Sequence, residues 1–406
     1  MDSMIAAAAQ ALAAGDVLGA MKRVALRGDA PALALRGIAL AQLGDFERAK
    51  ALLKNAHRAF TSREELARAR CKLAEGEIAL VSRDLSWPEK ALEMARQTLE
   101  RHGDRPNAAH ARNLQIRRLL LVGRLEEAER LLAMLDPSPL PPAARASLEL
   151  TVAGIAVRRL KIQIARAAFA RAASAARDAD IPALVAEVQN AAHVLDEPAG
   201  RRIVHGDERT LYLDEVEALL SSDGLIIDAC RFTIRRGSRI VPLAGRPVLF
   251  SLARALAEAA PDDLPRGVLL ARAFGARHID ESHRARLRVE VGRLRAALEG
   301  LVTIEATQDG FVLMPANGAD VAVLAPPIDN ENGTVLALLA DGENWSSSAL
   351  SIALGISTRT VQRALETLAA SGKVESVGNG PARRWISTPA IGFPTTLLLP
   401  GPLPSG

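Results

Sequence analysis

Residues 282–300, SHRARLRVEVGRLRAALEG, leave this chain little choice of conformation. Leu287, Val291, Leu294 and Leu298 recur at spacings of four, three and four, so one face of an α-helix collects all four. Arg284, Arg286, Arg288, Arg293 and Arg295 take most of the remaining surface. Ser282 suits an N-cap, and Gly300 suits the left-handed residue that ends a helix. The pattern predicts a helix with its apolar stripe inward and its guanidinium groups outward. A hairpin pattern follows at once: Val302-Thr-Ile-Glu, a polar turn at Gln308-Asp-Gly310, then Phe311-Val-Leu-Met. A basic helix followed directly by a hairpin is how a winged helix presents itself to DNA. A solvated helix face can be just as arginine-rich, and nearly all basic residues of this chain are Arg. The flanking segments decide between the two.

Upstream, Leu225-Ile-Ile-Asp-Ala, Arg231-Phe-Thr-Ile-Arg and Arg239-Ile-Val-Pro-Leu read as three short strands. Residues 246–258 and 266–274 read as two helices. The order is then strands, helix, helix, basic helix, hairpin. Over residues 224–315 the chain resembles the DNA-binding domain of OmpR/PhoB-type response regulators, most specifically in Arg288-Val-Glu-Val-Gly-Arg-Leu-Arg-Ala-Ala-Leu-Glu. The resemblance implies that this string belongs to a recognition helix, with His283, Arg284, Arg286 and Arg288 facing the major groove. It also implies that Arg293 and Arg295 hold phosphate or acidic neighbours. Where that family's hairpin carries a basic residue and a glycine, this chain has Thr307 and Gln308, with Asp309 before Gly310-Phe311.

A second compact pattern spans residues 333–387. Val335-Leu-Ala-Leu-Leu-Ala reads as a first helix, and Trp345-Ser-Ser-Ser leads into a second at Ala349-Leu-Ser-Ile-Ala-Leu. Gly355-Ile-Ser357 is a tight turn with Ser357 as N-cap of the helix that follows. Val361, Leu365 and Leu368 point inward; Thr358, Arg359, Thr360, Gln362 and Arg363 line the start of the opposite face. Residues 372–377 and 383–386 pair as strands around Gly378-Asn-Gly-Pro381. This stretch resembles the bacterial winged helix-turn-helix. A Gly-like turn lets the second helix lie across the first and enter the groove. There Gln can read adenine, Arg can read guanine, and Thr360 can touch a thymine methyl. Arg383 and Arg384 in the wing suit phosphate or the minor groove.

Residues 1–200 are helical in pattern throughout, and the pattern repeats. Gly37, Gly44, Ala49, Leu53 and Ala56 place small residues where paired helices must approach, with a glycine at the turn. That spacing is similar to the tetratricopeptide repeat. Gly123, Ala128 and Leu132 repeat its second half; Gly76 with Ala91, and Ala153 with Ala165, Phe169 and Ala172, give looser copies. Each hairpin has an apolar face that only a neighbour buries, so an array is expected, docking a protein partner or a second copy of the chain. No phosphoacceptor sheet precedes the winged helix, so phosphorelay input is not expected. Residues 201–223 read as a linker, 316–332 as a loop and 388–406 as a Pro-rich tail.

Aromatic residues make up only 3% of the 406, so cores must be built from Leu, Ala, Val and Ile. The fold class expected is mainly α with small β-wings. Cys71 and Cys230 form no spacing motif, which fits a reducing compartment. No basic leader precedes an apolar run, and no apolar run reaches membrane-spanning length. The expectation is a cytoplasmic protein with no membrane contact. The seven histidines are scattered, with no HExxH, Cys/His ligand spacing or phosphate-cradling glycine motif. Neither catalysis nor a metal or cofactor is expected. The reading is a bacterial-type transcriptional regulator that binds double-stranded DNA. The alternative is an interaction scaffold whose winged helices serve only as adaptors.

Overall fold

The computed structural model describes residues 2–82, 84, 87–121, 124–274, 281–327, 345–354, 356–378, 380 and 383–387, and single positions at 332, 335, 336 and 339. The chain is mainly helical with small sheets, and it divides into two compact units, one built on Met1–Val194 and the other on Leu195–Thr388.

The first unit is a succession of helical hairpins. Its helices are α1 (Ser3–Ala13), α2 (Val17–Val24), α3 (Ala30–Gln42), α4 (Phe46–Ala59), α5 (Glu65–Val81) and α6 (Glu89–Arg101). They are followed by α7 (Arg105–Leu121), α8 (Leu125–Ala133), α9 (Pro142–Arg158), α10 (Ile162–Asp178) and α11 (Pro182–Ala192). Consecutive helices pack as pairs, and α5, α7 and α9 also pack on one another. Asp2, Asp16, Asp29 and Asp45 each cap a helix by accepting from a backbone N–H in its first turn. The small residues have a steric reason. A Cβ on Gly37 would lie 2.9 Å from Leu53 Cγ and 3.2 Å from the Ala49 carbonyl oxygen, so α3 and α4 close only on glycine there. Gly44, in the turn between them, has φ of +84°. Gly123 lies outside the described residues.

Inner helices α5, α7 and α9 are buried on nearly all sides, which forces polar groups into the interior. Several pair across helices: His110 Nε2 lies 2.9 Å from Glu77 Oε2, Asn113 donates to Ser147 Oγ, and Thr151 donates to Asn113, while His110 Nδ1 has no hydrogen-bond partner among the described residues.

The second unit is built on a six-stranded sheet of order β2-β1-β9-β3-β4-β5. Its strands are β1 (Gly200–Val204), β2 (Asp207–Leu211), β3 (Leu225–Asp228), β4 (Thr233–Arg236), β5 (Arg239–Pro242) and β9 (Val321–Ala325). Helix α12 (Leu213–Leu220) follows β2, and α13 (Pro247–Ala259) packs on the sheet. Then come β6 (Leu264–Pro265), α14 (Arg266–Phe274), α15 (Glu281–Ala297), β7 (Val302–Ala306) and β8 (Gly310–Pro315), with β6, β8 and β7 forming a three-stranded sheet. After β9, α16 (Ser347–Leu354) and α17 (Thr358–Ala370) precede the antiparallel pair β10 (Val374–Val377) and β11 (Arg384–Ser387).

Three expectations need correction. Residues 201–223 are no linker: they supply most of β1, all of β2 and α12. A Cβ on Gly200 would come 2.9 Å from Leu324 Cδ1, so β1 is packed tightly into the sheet. Residues 316–332 are not all loop, because β9 lies in the middle of the sheet, pairing parallel with β3 and antiparallel with β1. Ser282 is not an N-cap; it lies inside α15, which runs from Glu281. The segments read as two winged helices share one continuous core, from Ile203 and Leu225 through Leu294 to Leu365 and Trp385.

Candidate nucleic-acid interface

Two helix pairs in the second unit present an exposed helix beside a hairpin. In the first, Leu269 and Leu270 of α14 and Leu287, Val291 and Leu294 of α15 are buried, with Leu298 just beyond. This fixes which face of α15 looks outward. Gly300, at φ of +78°, ends it as a left-handed residue.

Arg284, Arg286, Arg288, Arg293 and Arg295 all lie on the exposed side of α15, and His283 is half-buried. Most of these guanidinium groups already have neighbours. Glu281 Oε2 and Oε1 lie 3.6 Å from Arg284 and 3.7 Å from Arg288, and Glu290 lies 2.9 Å from Arg293. Arg286 lies over the Phe274 ring at 4.6 Å, joining the end of α14 to the start of α15. Arg295 turns to the hairpin: its Nε donates to the Ile304 carbonyl at 2.7 Å. It therefore holds the β7–β8 hairpin through a backbone carbonyl, which is neither the phosphate nor the acidic neighbour expected for it.

The hairpin tip is tied down by a residue that the sequence reading did not single out. Arg266 donates to the carbonyl oxygens of Gln308 at 2.7 Å and Thr307 at 2.9 Å, and lies 5.4 Å over the Phe311 ring. Thr307 Oγ donates to Asp263 at 2.5 Å and accepts from Gly310 N–H at 2.8 Å. A Cβ on Gly310 would sit 1.8 Å from the Leu264 carbonyl oxygen, so β6 and β8 approach only at glycine. The tip itself, Thr307, Gln308 and Asp309 with Asp263 beside it, carries no cation, and Arg266 at its base is turned to the tip's carbonyls.

In the second pair, Val361, Ala364, Leu365 and Leu368 of α17 are buried. Arg359, Gln362 and Arg363 are exposed, and Thr360 is half-buried. Ser357 Oγ accepts from Thr360 N–H at 3.1 Å and lies 2.8 Å from Thr360 Oγ1, so that hydroxyl belongs to the cap. Thr358 Oγ1 donates to Ser351 Oγ at 3.3 Å, and Ser351 Oγ donates to the Ile356 carbonyl at 2.6 Å. Thr358 and Ser351 thus lace α16 to α17 across the turn; Ser351 was not picked out from the sequence. Gly355 lies outside the described residues, as do most of residues 328–344, where Val335 and Leu339 are described and fully buried.

The second wing is more basic. Trp345 bridges Trp385 through two backbone hydrogen bonds of 2.7 and 3.0 Å, adding a third segment to β10–β11. Trp385 Nε1 donates to Ser347 Oγ at 3.1 Å, anchoring the wing to α16. Arg383 is exposed and lies 4.4 Å over the Trp385 ring, and Arg384 donates to the Arg383 carbonyl. An exposed helix with Arg and Gln at its start, beside a wing carrying arginines, can reach base edges and phosphates at once.

Among the described residues, no helix is long and apolar enough to cross a membrane. No group of three or more His, Cys, Asp or Glu among them is placed to hold a metal ion. Burial pushes the thiols of Cys71 and Cys230 up to about 12, away from nucleophilic use.

No curated protein and no solved structure matches the chain. A family described as an HTH domain matches residues 334–380, the stretch holding α16, the turn, α17 and β10, and this supports a DNA-binding role for the chain.

Proposed function

We propose that this protein is a bacterial, cytoplasmic transcriptional regulator in which tandem winged helices bind double-stranded DNA. The first is of the OmpR/PhoB type and the second a winged helix-turn-helix. The tetratricopeptide-like array of the first unit receives a protein partner or a second copy. The protein works by binding, without catalysis or a cofactor. The observation that carries this reading is α17: a capped helix inside the matched helix-turn-helix, with Arg359, Gln362 and Arg363 exposed along its start. Binding by two tethered modules makes the second event intramolecular, so two modest affinities combine.

The second reading, an interaction scaffold, is favoured by α15, where Glu281 and Glu290 already stand against three of its arginines and the wing is pinned by Arg266. Duplex binding by the full chain over a range of salt separates the two. A regulator shows log affinity falling with log salt, by about 0.9 per phosphate contacted. An Arg359→Ala/Arg363→Ala variant then binds more weakly with a shallower slope. An Arg286→Ala/Arg288→Ala variant reports whether α15 also touches DNA. Binding no better than to an unrelated acidic polymer would hand the protein to the scaffold reading.

A further inference from the structure

The two edges of the six-stranded sheet carry opposite charge. At one edge, residues 207–217 hold Asp207, Glu208, Asp214, Glu215 and Glu217 against a single arginine, Arg209. Arg201 lies against Glu208 and Arg209 against Glu215, and even with Arg201 and Arg202 of β1 included the five acids leave this edge net negative. At the other edge, residues 231–246 hold Arg231, Arg235, Arg236, Arg239 and Arg246 and no acidic residue; Arg231 is matched by Asp228 at 3.1 Å, so the net positive charge comes from the other four. Both edge strands are open to solvent: β2 is exposed from Asp207 to Thr210, and Arg239, Ile240 and Pro242 of β5 are exposed. Each edge also exposes one large apolar side chain, Tyr212 at 44% and Ile240 at 51%. A lone exposed apolar residue is ordinary. Here each sits among charges of one sign, and the two signs are complementary.

We propose that this protein associates with itself head to tail, the β2 edge of one copy docking on the β5 edge of the next. Tyr212 packs against Ile240, and the acidic residues around Tyr212 meet the arginines around Ile240. Tyrosine is the side chain best suited to anchor such a contact, having a large ring and a polar tip. Side chains carry the contact rather than a continued strand ladder, because Pro242 has no N–H to offer an incoming strand. The two faces differ, so the contact is heterologous and leaves a free edge at each end of the assembly. It uses the second unit alone and needs no DNA, so it stands or falls apart from the regulator reading. Exposed charges chiefly steer and select the partner, and salt screens them, so the assembly weakens as ionic strength rises.

The test is sedimentation of the full chain over a range of concentration and salt, with two edge variants whose circular dichroism is checked first. Arg236→Glu/Ile240→Ala spoils the basic edge, and Asp207→Lys/Tyr212→Ala spoils the acidic one. The wild type should gain mass with concentration at low salt and lose that gain at high salt. Each variant alone should stay at the 43.1 kDa of one chain. Mixed together, the two should form a dimer and nothing larger, because each keeps the edge the other lacks. A wild type that stays monomeric at every concentration overturns the proposal, whatever the variants do. So does a folded variant that self-associates like the wild type, or a mixture of the two that fails to pair.

Discussion

Ser357 Oγ accepts a hydrogen bond from the backbone N–H of Thr360 at 3.1 Å, capping the helix whose start carries Arg359, Gln362 and Arg363. The same few atoms thus end the turn, satisfy an otherwise unpaired N–H and fix the start from which these exposed side chains project. Ser357→Ala should cost about 1 kcal/mol of stability. Ser357→Asp should keep the cap and favour the helix dipole, yet weaken DNA binding by placing a negative charge beside phosphate. Urea denaturation and duplex binding of both variants separate the two effects. If Ser357→Asp binds DNA as well as the wild type, the start of α17 does not face the backbone.

Two glycines of the α15 and β8 region predict opposite outcomes for the same substitution. Gly310→Ala puts a methyl group 1.8 Å from the Leu264 carbonyl, a backbone atom that cannot move aside without breaking the β6–β8 pairing. It should destabilise the second unit by more than about 2 kcal/mol. Gly292 sits on the exposed face of α15 with nothing within 4 Å of an added Cβ. Gly292→Ala should stabilise the protein by about 0.5–1 kcal/mol through helix propensity. Thermal unfolding of the pair checks the sign of each.

The elements around these glycines were readable because their signals are local. Arg266–Phe274 and the faces of α15 and α17 follow from apolar spacing alone, and the wing hairpins from alternation and turn residues. Strand β9 was misread because its partners are distant: β3 pairs with it at Leu225 and Val321, and nothing near either residue announces the other, whereas β1 and β2 form a local hairpin around His205-Gly206 that went unread. Charged residues on β2 disguised it further, since an edge strand need bury little. At the candidate site, the exposed arginines were legible but their neighbours were only partly so. The Glu281–Arg284 and Glu290–Arg293 pairs fall at a helix's i,i+3 spacing and were there to be read. The grip of Arg266 on Gln308, 42 residues away, had no local signature.

Glu93 supplies a pH dependence in the helical array. Its carboxylate accepts from Arg96, which chiefly holds its pKa down to about 2, and also from Gln97 of the same helix and Gln115 of α7. A carboxyl whose folded pKa is depressed contributes stability above its unfolded value, near 4.5, and loses it as pH falls toward 2. The melting temperature of the first unit should therefore fall across that window, and Glu93→Gln should flatten its contribution there while lowering stability at neutral pH. Arg96 is buried but Glu93 is 35% exposed, which keeps the effect modest. Melting curves between pH 2 and pH 7 that coincide for wild type and Glu93→Gln would remove Glu93 from the account.

Glu281 gives the sharpest probe of whether α15 works on DNA. It stands between Arg284 and Arg288, two guanidinium groups aimed outward, and occupies them as a phosphate would. All three side chains are at least 60% exposed, so the pairing is weak and salt-screened. If α15 lies in the groove, Glu281→Gln removes both a competitor for the arginines and a negative charge facing DNA. Duplex affinity at low salt should then rise, by about 1.5- to 5-fold if the two exposed pairs together are worth about 0.2–1 kcal/mol. The gain should shrink as salt increases, and in an Arg284→Ala/Arg288→Ala background only the part due to the removed negative charge should remain. Unchanged affinity at low salt would take α15 off the DNA and leave α17 as the reading helix.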